Sequence, residues 1–107
     1  MDWKAQAALI NLTWTNKANM GRGDRIRFLA LAIAGESGEL ANVVKKQWRD
    51  SARWDDAQIR ANYEATCAEL ADVMIYAYVL ADLLGVDIDA ECERKMLEVE
   101  KRPFAQA

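Results

Sequence analysis

Apolar residues recur along most of this chain at the three-to-four-residue interval of an α-helix, and the interruptions fall in only a few places. Four helical segments follow. The first spans about Asp2 to Ala18, with Asp2 as an N-cap candidate and Leu9, Ile10 and Trp14 among its apolar positions. The stretch Met20-Gly21-Arg22-Gly23 breaks it. The second is predicted to start after Asp24, a capping residue type, and to run to about Trp48 with a stripe of Leu29, Ile33, Leu40, Val43 and Val44. Polar residues from Arg49 to Trp54 connect it to a third helix capped by Asp55 or Asp56. The apolar line of that helix is Ile59, Tyr63, Cys67, Leu70, Val73, Ala77, Leu80 and Leu84. It ends at Gly85, the residue type suited to a left-handed C-terminal position. Val86-Asp87 opens a fourth helix, which must stop before Pro103. The second and third helices run to about 25–30 residues, or roughly 40 Å each at 1.5 Å per residue.

The pattern reads as all-α: a four-helix chain forming one domain over residues 1–107, without internal repeats or low-complexity tracts. Composition adds a constraint on packing. Apolar residues make up 52% of the chain, and about 57% with glycine, against roughly 45–50% in ordinary soluble domains. A chain this short exposes much of its surface, so part of the apolar surplus is expected to be covered by a partner subunit. Cys67 and Cys92 fall in helical segments and read as reduced core residues rather than a disulfide framework. The N-terminus lacks the basic start and apolar run of a signal peptide. The stretch from Leu70 to Val86 carries Asp72 and Asp82 and is too short for a membrane span. A cytoplasmic protein with no membrane partner is the expectation.

Charge and residue type then narrow the chemistry. Fourteen basic residues against 17 acidic give a net charge of −3, which does not favour nucleic acid as a partner. There is no histidine, so Ser-His-Asp and Cys-His nucleophile systems are excluded, as are mixed His/Cys zinc sites. What remains is carboxylate, lysine or tyrosine chemistry, or hard-metal chemistry. The informative feature is two acid pairs, Glu36/Glu39 and Glu69/Asp72, each spaced i, i+3 and so on one helix face. Their phase matters more than their spacing. Glu36 follows Leu29 by seven residues and Ile33 by three, and precedes Leu40 by four, which is a core slot. Asp72 precedes Tyr76 by four and Val79 by seven, inside an apolar sector. Carboxylates gathered there repel one another and need a cation: either Lys45, Lys46, Arg94 or Lys95, or a hard divalent ion such as Mg²⁺ or Mn²⁺.

The block Ala34-Gly35-Glu36-Ser37-Gly38-Glu39-Leu40-Ala41, followed about 30 residues later by Glu69-Leu70-Ala71-Asp72-Val73, resembles the MazG-type all-α nucleotide pyrophosphohydrolases, with their Glu-Glu-x-x-Glu and Glu-x-x-Asp blocks. The resemblance covers roughly Phe28 to Phe104. It implies Mg²⁺-dependent hydrolysis of a nucleoside triphosphate to monophosphate and pyrophosphate. It also implies homodimers or homotetramers whose helical bundle forms between subunits. Carried over residue by residue, it makes Glu36, Glu39, Glu69 and Asp72 the metal ligands, Glu36 and Glu39 catalytic, and Lys95 and Arg102 the phosphate-binding positions. Gly35 stands where the family carries its first acid, and Val99 where many members have asparagine. Among the four tryptophans, Trp54 is the first candidate for stacking on a nucleobase and Trp14 the second. Two other readings stand beside this one: a dUTP or phosphoribosyl-ATP pyrophosphohydrolase, and a non-catalytic helical oligomer that binds nucleotide or protein.

Overall fold

The structure of the protein, a computed structural model, describes residues 1–102 and, at 15–18, the helical backbone only. Pro103 and Phe104, named above, lie outside the described residues. Among the described residues there are four α-helices and no strand: α1 (Trp3–Ala18), α2 (Arg22–Asp50), α3 (Asp56–Leu84) and α4 (Ile88–Glu100), with a single 3₁₀ turn at Ser51–Arg53. No helix is long and apolar enough to cross a membrane.

The boundaries follow from capping chemistry. Asp2 accepts from the Lys4 and Ala5 amides and opens α1. Asn19 closes it in the left-handed conformation (φ 47°), which asparagine tolerates. α3 opens on a capping box, in which Asp55 accepts from the Gln58 amide while the Gln58 side chain accepts from the Asp55 amide. It closes on Gly85 at φ 72°. The start of α2 differs from the expectation. It begins at Arg22 with Gly21 as N-cap, and Asp24 lies inside the first turn, where it holds Arg27 at 2.8 Å. An acid in a first turn favours the helix dipole without capping it.

α2 and α3 pack side by side as an antiparallel hairpin, each 29 residues long, or about 43 Å. Arg22 donates to the Leu83 carbonyl at one end, and the 3₁₀ turn closes the other. α1 lies on α3, where Asn11, itself buried, donates to the Val79 carbonyl (2.9 Å) and to Asp82 (2.8 Å). The buried apolar core is small: Ala7, Leu29 and Val79 pack together, with Trp14, Tyr76, Tyr78, Leu80 and Leu83 around them. α4 packs along none of the other helices. Its first turn is tied down by Lys4, which meets Asp87 and Asp89 at 2.7 and 3.2 Å, and by Tyr78, which donates to Asp89.

The third-helix apolar line is only partly core. The line of α3 that faces α2 runs through Thr66, Glu69, Val73 and Tyr76, and Gln47 of α2 donates to Thr66 and to the Asn62 carbonyl. Ile59, Tyr63, Cys67 and Leu70 are exposed instead. At 3.6 residues per turn they share a flank of the hairpin with Ile33, Leu40, Val44 and Trp48 of α2, and over this stretch the flank carries no charged residue. The two cysteines are likewise exposed and free, which corrects the expectation of core thiols: Cys67 borders the open flank and Cys92 sits on α4. The radius of gyration, 17.4 Å, exceeds the roughly 13 Å of a compact chain of this length.

Among the described residues, Leu29 is the one large side chain that is fully enclosed. Leu29→Ala should lower unfolding stability by about 2–5 kcal/mol, measured by urea denaturation.

Candidate metal centre

The acids lie halfway along the hairpin. Glu36 and Glu69 point into the α2–α3 seam, and Glu39 and Asp72 stand one step around their helices on the flank opposite the apolar one, as i, i+3 spacing requires. One carboxylate oxygen each from Glu36, Glu69 and Asp72 lies within 4.8 Å of the others. Glu39, which is exposed, stands beside them, and its charge helps to raise the pKa of both Glu36 and Glu69. Packing of the two long helices thus converts two sequence pairs into one four-carboxylate cluster.

Among the described residues, none of the four acids has an ion pair. Arg94 is held by Glu91 and Glu98, and Lys95 by Glu98, all within α4. One oxygen of Glu36 and one of Glu69 are buried without a hydrogen-bond partner. Desolvation, followed by repulsion from neighbouring carboxylates, raises the pKa of both Glu36 and Glu69. Buried, unpartnered carboxylate oxygens converging on one point are the donor set of a hard divalent cation. The residues present therefore fit a metal ion, with Glu36, Glu69 and Asp72 as the nucleus and Glu39 beside them.

The other expected site residues lie elsewhere in the chain. Trp54 is half-buried at the hairpin tip, where its amide donates to the Ser51 carbonyl. α2 runs eleven residues beyond Glu39 before that tip, about 16 Å along the axis. Trp14 packs edge-on against Phe28, with ring centroids 5.1 Å apart. Lys95 and Arg102 are exposed, and α4 does not fold back along α3 toward the acids. One basic residue does share the acid flank. Lys46 follows Glu39 by seven residues, two turns along the same face, and has no ion pair among the described residues. Gly35, Ala61, Ala65 and Ala68 line the same flank and leave room beside the acids; at Gly35 a Cβ would meet nothing within 4 Å. The heptad spacing of Lys46 from Glu39 was legible in the sequence, but its importance depends on which flank carries the site.

A model of the MazG-like family matches residues 39–107, a span that contains Glu39, Glu69 and Asp72, with Glu36 three residues ahead of it. The chain belongs to the MazG-like family, which points to the nucleotide pyrophosphohydrolase superfamily, typically metal-dependent. It is 34% identical over 77 residues to the Gene 37 protein of Mycobacterium phage L5, covering 72% of this chain and 65% of that protein. No solved structure matches the chain.

The raised carboxyls set a pH dependence for the metal-free protein. A group whose folded pKa exceeds its unfolded value holds its proton more tightly when folded. The stability this contributes is full below the ordinary carboxylate range and is lost as pH rises through the raised pKa. Asp50 and Asp87, held low by Arg49 and Lys4, act in the opposite sense at lower pH. Thermal unfolding in EDTA should therefore show falling stability as pH rises from just above the ordinary carboxylate range toward neutrality, and added Mg²⁺ should reverse the loss. At neutral pH Glu36→Gln should raise the metal-free melting temperature and abolish its response to Mg²⁺. A melting temperature that follows Mg²⁺ unchanged in this variant would exclude Glu36 as a ligand.

Proposed function

We propose that the chain is a Mg²⁺-dependent nucleoside triphosphate pyrophosphohydrolase, converting a (d)NTP to (d)NMP and pyrophosphate in the upkeep of the cytoplasmic nucleotide pool. The observation that carries this reading is the convergence of Glu36, Glu69 and Asp72 with two buried, unpartnered oxygens and, among the described residues, no ion-paired base. Family membership supports the same class of reaction.

In this reading Glu36, Glu69 and Asp72 hold the ion, with Mn²⁺ suited to the same oxygen set. The ion supplies charge neutralisation and orientation of the triphosphate. Water adds at a phosphorus, the α–β bridging bond breaks, and pyrophosphate leaves. Glu39, exposed at the edge of the cluster, orients that water and accepts its proton. Lys46 meets phosphate oxygens from two turns further along α2. It takes the part that the resemblance gives to Lys95 and Arg102, because α4 stays away from the acids of its own chain. The small side chains on the flank leave space for the nucleoside. The uncharged flank on the other side of the hairpin packs against a second copy of the chain, as the apolar surplus requires.

Pyrophosphate release from a panel of ribo- and deoxyribonucleoside triphosphates, dUTP and phosphoribosyl-ATP in Mg²⁺ tests the reaction. Release from none of them overturns it. Glu39→Gln should lower kcat by about 10²-fold or more with unchanged far-UV circular dichroism. Lys46→Ala should raise KM several-fold with a smaller effect on kcat. The same KM effect from Lys95→Ala, and none from Lys46→Ala, would return the phosphate contact to α4.

A further inference from the structure

The joint between α3 and α4 is sealed from both sides but not across. On the α3 side, the Gly85 amide donates to the Asp82 carbonyl at 3.0 Å and the Val86 amide to the Ala81 carbonyl at 2.9 Å, the pattern that ends a helix on a left-handed glycine. On the α4 side, the Asp87 carboxylate accepts from the Ala90 amide at 3.2 Å, and the Asp87 carbonyl accepts from the Glu91 amide at 3.0 Å. The two sets of bonds meet between Val86 and Asp87. Rotation of the backbone there swings α4 as a rigid body and breaks no backbone hydrogen bond in either helix.

Packing does not fix the direction of α4 either. It runs along none of the other helices, and Cys92, Met96 and Leu97 are exposed on it. At its root lies an open cavity of about 290 Å³, lined among others by Lys4, Tyr78, Asp82, Asp87 and Ile88. What crosses the joint is polar. Lys4, in the first turn of α1, meets Asp87 at 2.7 Å and Asp89 at 3.2 Å. The Tyr78 hydroxyl of α3 donates to Asp89 at 3.1 Å. Lys4 thus grips both the residue that caps α4 and one in its first turn.

We propose that the Val86–Asp87 joint is a pivot and Lys4 its latch. Lys4 sets the direction in which α4 leaves the hairpin, and loss or screening of its charge frees α4 to swing while every helix stays folded. The setting of the ion pair makes the latch easy to open. The Lys4 side chain is 48% exposed and that of Asp87 58%, and exposed pairs of this kind are weak and screened by salt. Two carboxylates on one ammonium, with Tyr78 orienting Asp89, favour the closed direction at low ionic strength. Lys95 and Arg102 travel with α4, so α1 governs where they are carried. The latch is independent of the hydrolase reading and of pairing between copies.

Spin labels on Cys92 and on Arg27→Cys, in a Cys67→Ser background, report the direction of α4 against α2, since both positions are exposed. Dilution with unlabelled chain restricts the measured distances to those within one molecule. With Lys4 in place, low salt should give one narrow distance distribution. Lys4→Ala should broaden it about twofold or more, with unchanged far-UV circular dichroism, and Lys4→Arg should keep it narrow. Salt at about 1 M, where the screening length falls to about 3 Å, should broaden the distribution of the Lys4 chain and leave that of Lys4→Ala as it was. A distribution equally narrow in Lys4→Ala means that the short link or a neighbouring subunit fixes α4, and overturns the latch. A broad distribution with Lys4 in place at low salt overturns it as well. Loss of helix content in Lys4→Ala overturns the rigid swing, because α4 then melts instead of turning.

Discussion

The seam between α2 and α3 decides where the other parts of this chain can sit. Two 29-residue helices side by side have one contact line and two flanks. Here the contact line changes character along its length. Near the closed tip it is polar, with Gln47 bridging to Thr66 and the Asn62 carbonyl. In the middle it is acidic. Toward the open end it is apolar, around Leu29 and Val79, and α1 is anchored there through Asn11. An apolar seam throughout would make a steadier hairpin. Placing Glu36 and Glu69 in it instead leaves two buried oxygens without partners, a local cost that a bound cation would remove.

The two flanks divide the remaining roles. One carries Glu39, Asp72 and Lys46 with small residues between them. The other carries no charge from Ile33 to Trp48 on α2 and from Ile59 to Leu70 on α3. This division explains how a 107-residue chain can hold so much apolar residue and still bury so few side chains fully. Its hydrophobic surface is arranged as a face rather than as an enclosed core.

Much of this was readable before any coordinates. The helix count, the Asp2 and Asp55 caps and the Gly85 stop follow from local chemistry, and the structure reproduces them. The acid cluster was legible because Glu36 occupies a slot in an apolar period. The α2 start was misplaced because an aspartate three residues into a helix looks much like one that caps it. The apolar line of α3 is legible as a line but not as core or open flank, because periodicity gives the direction of a face and not what covers it. The places of Lys95, Arg102 and Trp54 depend on how α4 and the hairpin tip are set against the seam, which spacing along one helix does not encode.

The formal charge of −3 says little about where charge is dense. The hairpin tip, from Lys45 to Asp56, has four bases against three acids, whereas Glu36, Glu39, Glu69 and Asp72 gather four acids at the middle of the hairpin. The chain is therefore most negative at its waist and nearly balanced at its tip. A divalent cation in solution is drawn toward that waist before it touches any ligand, over a distance set by the surrounding ions, about 10 Å at 0.1 M salt. The speed of its capture is then governed by ionic strength, while the buried carboxylate oxygens govern how long it stays.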